Sequence, residues 1–504
     1  MDETDPREGT VAGRVLLAGL ALGILAELAF DGPAFGIGVP TMVAAVLVAG
    51  WSVRRRGRAL DPLDAWLPAA AIILALLAGV RADPFLAALD IVVAIGLIGA
   101  SLAAMSGLAV TRRRASVIVA MAVWGIADVL VGAARAIRLV KPGRARLPRS
   151  VPAWVAPVGR GLFVAVPIAV VLVTLFASAD PIFGAAVADL LGIRVDLGDL
   201  PGRATFTLAA AWLLAGSVSI AATGIPRMER SSLGAAARTT SIRGLGSLGL
   251  PEALVILGVI DLVVASFVVL QVAYLFGGLD TLKAAGIPYA QYARRGFFEL
   301  VAAASLVSAV VIVLEATVAR RTRLYVGAVA ALIGLTALVL VSAALRLNLY
   351  QAAYGWTTLR LYVVVAIIVM ACGLAVMLAL LVTQRSRWLG HAFAVLGVVS
   401  LVGLNLIAPA AFVASRNIER VIDPSLVPPD GHSGLDASYL AALPDDAIPV
   451  LVDALPRLPP REAGEVRSIL LARRAQLQSE VAFGSPFAWN VGREQARKAL
   501  ATLP

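Results

Sequence analysis

The feature that most constrains this chain is the recurrence of long apolar runs, each about as long as a bilayer is thick. A helix rising ~1.5 Å per residue needs roughly 20 apolar residues to cross a hydrocarbon core of ~30 Å. Runs that meet or approach this length are 14–30, 36–53, 66–80, 85–110, 160–179, 205–224, 251–276, 297–318, 324–345, 361–382 and 389–412. Backbone polar groups in lipid must be satisfied within their own segment, so the runs read as helices. The expected fold is all-α: a polytopic transmembrane helix bundle of about eleven spans with a small helical C-terminal domain. Composition agrees, since only 15% of residues are charged, against about a quarter in an ordinary soluble domain.

A net charge of +11 invites a nucleic-acid reading, but the positions of the charges exclude it. Most arginines sit in short clusters between apolar runs, as cytoplasmic loops do under the positive-inside rule. Arg54, Arg55, Arg56 and Arg58 place the second connection inside, and Arg112, Arg113 and Arg114 the fourth. A further run, 115–138, is long enough to span. If it crossed, every later basic loop would change sides. Laid in the cytoplasmic interface, a place that suits Trp124 and Asp128, it leaves 25 basic residues inside and 8 outside, the tail not counted. The expected topology is a multi-pass protein of the cell membrane, N-terminus cytoplasmic and C-terminus extracytoplasmic. The acidic opening Met1-Asp2-Glu3, and Glu27 where a small residue would be needed, read as a retained first helix rather than a cleaved signal.

Three regions follow. Residues 1–150 form an N-terminal transmembrane region that includes the interfacial helix 115–138, and residues 151–413 form the core bundle. Residues 414–504 form a soluble helical tail with 10 basic and 11 acidic side chains. Short amphipathic helices are expected near 436–443, 445–455, 460–482 and 491–502, with Asp445 and Asp446 capping the second and Pro459-Pro460 opening the third. A single cysteine, Cys372, and two histidines, His391 and His432, leave no cysteine-based metal site and no zinc-hydrolase cluster. No metal or cofactor is expected.

Most motifs read as structure. Gly244-Leu245-Gly246-Ser247-Leu248-Gly249 matches a dinucleotide pattern but leads into a membrane helix rather than following a strand. Gly19 and Gly23 form GxxxG, read as close packing inside the chain. Glu27, Asp90, Glu299 and Glu315 lie near span ends, where they can pair. Asp261 sits about ten residues into its span, which makes it a candidate intramembrane acid.

The outward connections carry the candidate site. It comprises Asp180, Arg294, Arg295, Glu299, Arg346, Tyr350, Tyr354, Trp356 and Arg360. Aromatic residues at this level form the usual interfacial belt, but arginines on the outer side need a partner: a carboxylate, a lipid phosphate or a substrate anion. Arg346 or Arg360 is expected near Arg295 or Glu299.

The same segments carry a resemblance. FASADPIF, YAQYARRGFFELV, LRLNLYQAAYGWTTLRLYV, RNIERV and LDASYLAALPDDAIPVLV resemble the DUF4173/DUF4153 group of bacterial multi-pass proteins of unknown function, from about Gly161 to the C-terminus. The resemblance implies a membrane protein with an appended helical tail and brings no reaction or catalytic residue. The leading expectation is a non-enzymatic role in the cell envelope, in sensing, scaffolding or partner binding, with an envelope protein engaged through the tail. A proton-coupled transporter using Asp261 is second. A membrane-embedded glycosyltransferase-like enzyme using Asp31 is third.

Overall fold

A computed structural model describes residues 6–30, 35–54, 60–113, parts of 125–137, 200–223, 250–276, 297–318, 322–428, 431, 434–481 and 485–504. Every element among them is helical. The membrane part contains α1 (Pro6–Ala29), α2 (Gly38–Val53), α3 (Trp66–Val80), α4 (Pro84–Met105), α5 (Leu200–Thr223), α6 (Leu250–Phe276), α7 (Phe297–Thr317), α8 (Arg323–Tyr354), α9 (Thr358–Val382) and α10 (Leu389–Ile407). The tail contains α11 (Pro409–Ile422), α12 (Ala437–Ala441), α13 (Ile448–Ala454), α14 (Pro460–Val481) and α15 (Val491–Ala501). Among the described residues six helices are long and apolar enough to cross a membrane, and α2 and parts of α5 and α6 are shorter apolar helices. The chain is a polytopic helix bundle; the run 160–179 and the glycine motif 244–249 lie outside the described residues.

Two apolar cores organise the bundle. The first joins α1 to α5 through residues such as Leu22, Val46, Leu74 and Val218. The second joins α6 to α9 through Leu257, Val311, Leu332 and Met377. Helix α10 bridges them: Leu401 and Val402 pack on the first core, and Leu389 and Phe393 on the second.

Helices α1 and α5 approach closely in the first core. A Cβ added to Gly19 would lie 2.3 Å from the Ala215 Cβ, and one added to Gly23 would lie 2.6 Å from both the Ala211 Cβ and the Thr207 carbonyl oxygen. Small residues here do what they do wherever lipid supplies no drive for helix association: they let backbones meet and gain dispersion energy. The GxxxG therefore packs within the chain. The antiparallel seam ends on an ion pair between Glu27 and Arg203.

A second polar contact ties α4 to α10. Asn405 donates from Nδ2 to both Asp90 carboxylate oxygens, at 3.1 and 2.9 Å, and both residues are fully buried. Interhelical hydrogen bonds in membranes contribute ~0.6–2 kcal/mol, and a buried carboxylate stripped of its donor costs more. Asn405→Ala is therefore expected to lower thermal stability in detergent by ~2 kcal/mol. Asp90→Asn should lower it by less than half of that. Equal losses in a melting assay would mean that the pair is not the contact that matters.

Two departures from the expected boundaries shape the contact with the tail. Helix α8 runs to Tyr354, nine residues past the expected end, so LRLNLYQAAY is helix rather than loop and the connection to α9 shrinks to Gly355, Trp356 and Thr357. Arg346, Asn348 and Gln351 lower hydropathy there, but Ala343, Leu347 and Gln351 keep a buried stripe at helical spacing. The last span stops at Ile407. Ala408 takes a left-handed conformation (φ 52°), and Pro409 starts α11 with its φ already suited to a helix.

The connections α1–α2, α3–α4 and α8–α9, with the start of the tail, all meet at one end of the bundle, where the tail touches each. At the opposite end Asp64, fully buried, accepts from the backbone amides of Val110 (3.0 Å) and Thr111 (2.8 Å), which locks the α2–α3 connection to the chain leaving α4. The described residues between 125 and 137 are helical, and Gly132 lies against Gly216 and Ser219 near the end of α5 that points away from the tail.

Candidate functional site: the clamp between tail and bundle

The tail has its own core, built from Ala410, Ile418, Leu440, Leu451, Leu470, Ala496 and Leu500 among others. The expected short helices are present, but Asp445 and Asp446 do not cap α13. They form a 3-10 turn whose preceding residue, Pro444, makes no side-chain cap. Each carboxylate is spent on a longer contact. Asp445 accepts from Arg473 at 2.6 Å and pairs with Arg493 at 3.5 Å, tying α14 and α15 to the turn before α13.

Asp446 points the other way, into the bundle. Its Oδ2 accepts from the Ala82 amide at 2.7 Å, and Arg81 lies 3.8 Å from Oδ1. Asn490 caps α15 through its Oδ1 and donates from Nδ2 to the carbonyls of Arg81 (2.8 Å) and Phe35 (3.2 Å). The Ile37 amide donates to the Trp489 carbonyl at 3.0 Å. Asp83 caps α4 and receives the Tyr362 hydroxyl at 2.8 Å, which draws α9 to the same turn.

This grip is sensitive to pH. Burial pushes the Asp446 carboxyl up to about 6, and the Ala82 amide and the Arg81 guanidinium only partly offset it, with Asp83 adding repulsion. A carboxyl that ionises less readily docked than free binds more protons docked, so docking is strongest below about pH 4 and weakens as pH rises through about 6. The weakening amounts to about 3 kcal/mol at most. Hydrogen exchange at the Ala82 amide should accordingly slow between pH 7 and pH 5, beyond the intrinsic pH effect, and Asp446→Asn should flatten that extra change. An unchanged profile in the Asn variant would reject Asp446 as its source.

A second grip holds the α8–α9 turn. Gly355 closes α8 at φ 77°, a conformation that disfavours side chains, and a Cβ there would meet the Asn417 Oδ1 at 2.7 Å. Asn417 reads the next residue on both sides: its Oδ1 accepts from the Trp356 amide at 2.8 Å and its Nδ2 donates to the Trp356 carbonyl at 2.9 Å. Arg420 donates to the carbonyls of Gln351, Ala352 and Ala353. Arg360 donates to those of Tyr354 and Gly355, with its guanidinium 4.1 Å above the Tyr350 ring. Five successive carbonyls at the negative end of α8 thus meet two cations, which compensates the helix dipole and the carbonyls that lack a helical donor together. Burial and the adjacent Arg360 hold the Arg420 guanidinium below its ordinary value. Tyr439 completes the grip: the Thr358 amide donates to its hydroxyl at 2.7 Å, and Trp356 meets Phe412 edge to face at 5.0 Å.

Of the sequence candidates, the structure brings Tyr350, Tyr354, Trp356 and Arg360 together at this turn. The Tyr350 and Tyr354 rings meet at a tilt with centroids 5.0 Å apart, and Arg346 lies one turn before Tyr350 on the same face of α8. The partner of Arg360 is a helix end and an aromatic ring, a class not among those expected for an outer arginine. Asp180, Arg294 and Arg295 fall outside the described residues, as does the Glu299 side chain, although Glu299 itself lies in the first turn of α7. Asp261 shares the α6 face that carries Leu257 and Val268, and its Oδ1 is buried without a hydrogen-bond partner among the described residues. No group of three metal-binding side chains occurs among the described residues. Sequence reasoning missed Asn417, Arg420, Tyr439 and Asn490, and read Asp446 as a helix cap. All but Asn490 were in view, inside the strings RNIERV and LDASYLAALPDDAIPVLV.

No curated protein and no solved structure matches the chain. A family model, described as a domain of unknown function (DUF4153), matches residues 69–454. That match begins within α3, well before the expected Gly161, and ends with α13, so it takes in both partners of each grip except Trp489, Asn490 and the α1–α2 connection. With most of its length matched, the chain belongs to the DUF4153 family.

Proposed function

We propose that this protein is a non-enzymatic platform of the cell envelope, which holds its helical tail at a fixed height and orientation for a partner to bind. The tail faces the extracytoplasmic side and the N-terminus the cytoplasm, as the charge asymmetry of the loops favours. The observation that carries the reading is the double clamp. A tail that served only as a tether would need no buried carboxylate on the α3–α4 turn and no arginine on the carbonyls of α8. Catalysis would call for converging titratable groups with room for a substrate, whereas the clamp's polar groups are used up on one another and on the backbone.

The test is complementation of a deletion strain, together with flux measurements. The full chain should restore whatever growth or envelope defect the deletion causes. A chain ending at Ile407, or one carrying Arg420→Glu with Asp446→Lys to open both grips, should insert but fail to restore it. Proton flux through purified protein in vesicles, abolished by Asp261→Asn, would favour the transporter reading instead. Complementation by the bundle alone would sink the platform.

A further inference from the structure

Exposed apolar side chains are ordinary on the membrane helices but need explaining on the tail. Trp489 leaves 46% of its surface exposed, while its own carbonyl is bonded to the Ile37 amide, next to the first residue of α2. Phe35 (42% exposed), Ile37 and Phe30 stand open at the same level. On the other grip, Ile422, the last residue of α11, is open, and Leu426 just beyond it is 51% exposed. The chain there returns to α8: a Cβ on Gly431 would touch Val427 at 2.7 Å and the Ala353 carbonyl oxygen at 3.1 Å. The exposed ring of Tyr354 lies one residue further along α8. The two apolar groups are thus attached to different cores, one through α2 and the other through α8.

We infer that the underside of the tail carries two apolar feet, Trp489 on one and Leu426 with Ile422 on the other, that rest in the headgroup layer of the bilayer around the bundle. The occupant is lipid because each foot continues a row of exposed aromatic and aliphatic side chains at a membrane-helix end. Tyr and Trp belong at that depth, with an apolar ring and a polar edge. A soluble partner would have to reach under the domain at two separate helix groups to cover both.

The protein with Cys372→Ala, reconstituted in phosphatidylcholine vesicles, takes a nitroxide label at Trp489→Cys, Leu426→Cys or, as a depth reference, Phe35→Cys. Each label should collide with oxygen several-fold more often than with a water-soluble nickel complex. Preference for nickel at 489 or at 426 would overturn the inference and mark that face as open to a soluble partner. Low collision with both would overturn it too, in favour of a second copy covering the face. Because Trp489→Cys also risks the fold, an unlabelled comparison stands beside it. Bilayer lipid brominated near the headgroup should quench the wild type more than Trp489→Phe, and equal fractional quenching would count against the inference.

Discussion

Asp445→Ala is expected to unfold the tail while the bundle stays intact. The carboxylate is 2% exposed and holds two guanidiniums at once, Arg473 and Arg493, which are 28% and 19% exposed. Removing one side of a buried pair costs ~3–5 kcal/mol, because the remaining charge keeps its desolvation penalty and loses its compensation. Partial exposure of the arginines places the expected loss near the lower bound, about 3 kcal/mol. For a domain of this size that is a large share of total stability. Limited proteolysis should then cut within α14 and leave a membrane-embedded core, and Asp445→Asn should recover part of the resistance. A tail that stays resistant after Asp445→Ala would show that its apolar core suffices without the ion pairs.

The second large effect belongs to the α1–α5 seam. Gly19→Leu or Gly23→Leu would drive a branched side chain into Ala215, Ala211 or the Thr207 carbonyl, where even a methyl group would lie under 3 Å. Overpacking in well-packed cores costs ~1–3 kcal/mol per site, and here the obstruction includes backbone, which cannot swing aside. The double substitution should abolish the folded peak in detergent gel filtration. Gly13→Leu on the same helix should not, since nothing lies within 4 Å of a Cβ there. Equal losses at all three positions would point to insertion rather than packing.

The helices were legible because hydropathy reports burial in lipid directly: runs such as 66–80 and 251–276 fall within a residue of α3 and α6. Legibility failed where the chain leaves the membrane as helix. Arg346 and Asn348 read as loop because the scale penalises their charge and polarity. Their neighbours Leu347 and Gln351 are buried by tertiary contact, which no local average reports. The candidate site was half legible. Tyr350, Tyr354, Trp356 and Arg360 were singled out by an excess of aromatic and cationic residues at a turn expected on the outer side, and they do sit together. What they face was not legible, because Asn417 and Arg420 lie more than fifty residues later and bind backbone atoms, which carry no residue code. Asp445 and Asp446 were noticed for the wrong reason, since adjacent aspartates before an apolar stretch look like caps until the opposing arginines and amides are placed.

The unequal lengths of the clamped helices bear on bilayer thickness. The span through α3, Pro62–Val80, has 19 residues and α8 has 32, so they are about 28 and 48 Å long at ~1.5 Å per residue. One small domain grips the turn after each, which brings those two turns to nearly the same height. The surplus of α8 is then taken up by tilt or by protrusion, while the span through α3 only just matches an average hydrocarbon core. A protein built this way sits at lower cost in a thinner membrane, and thickening the acyl chains would load the α3 side of the clamp first.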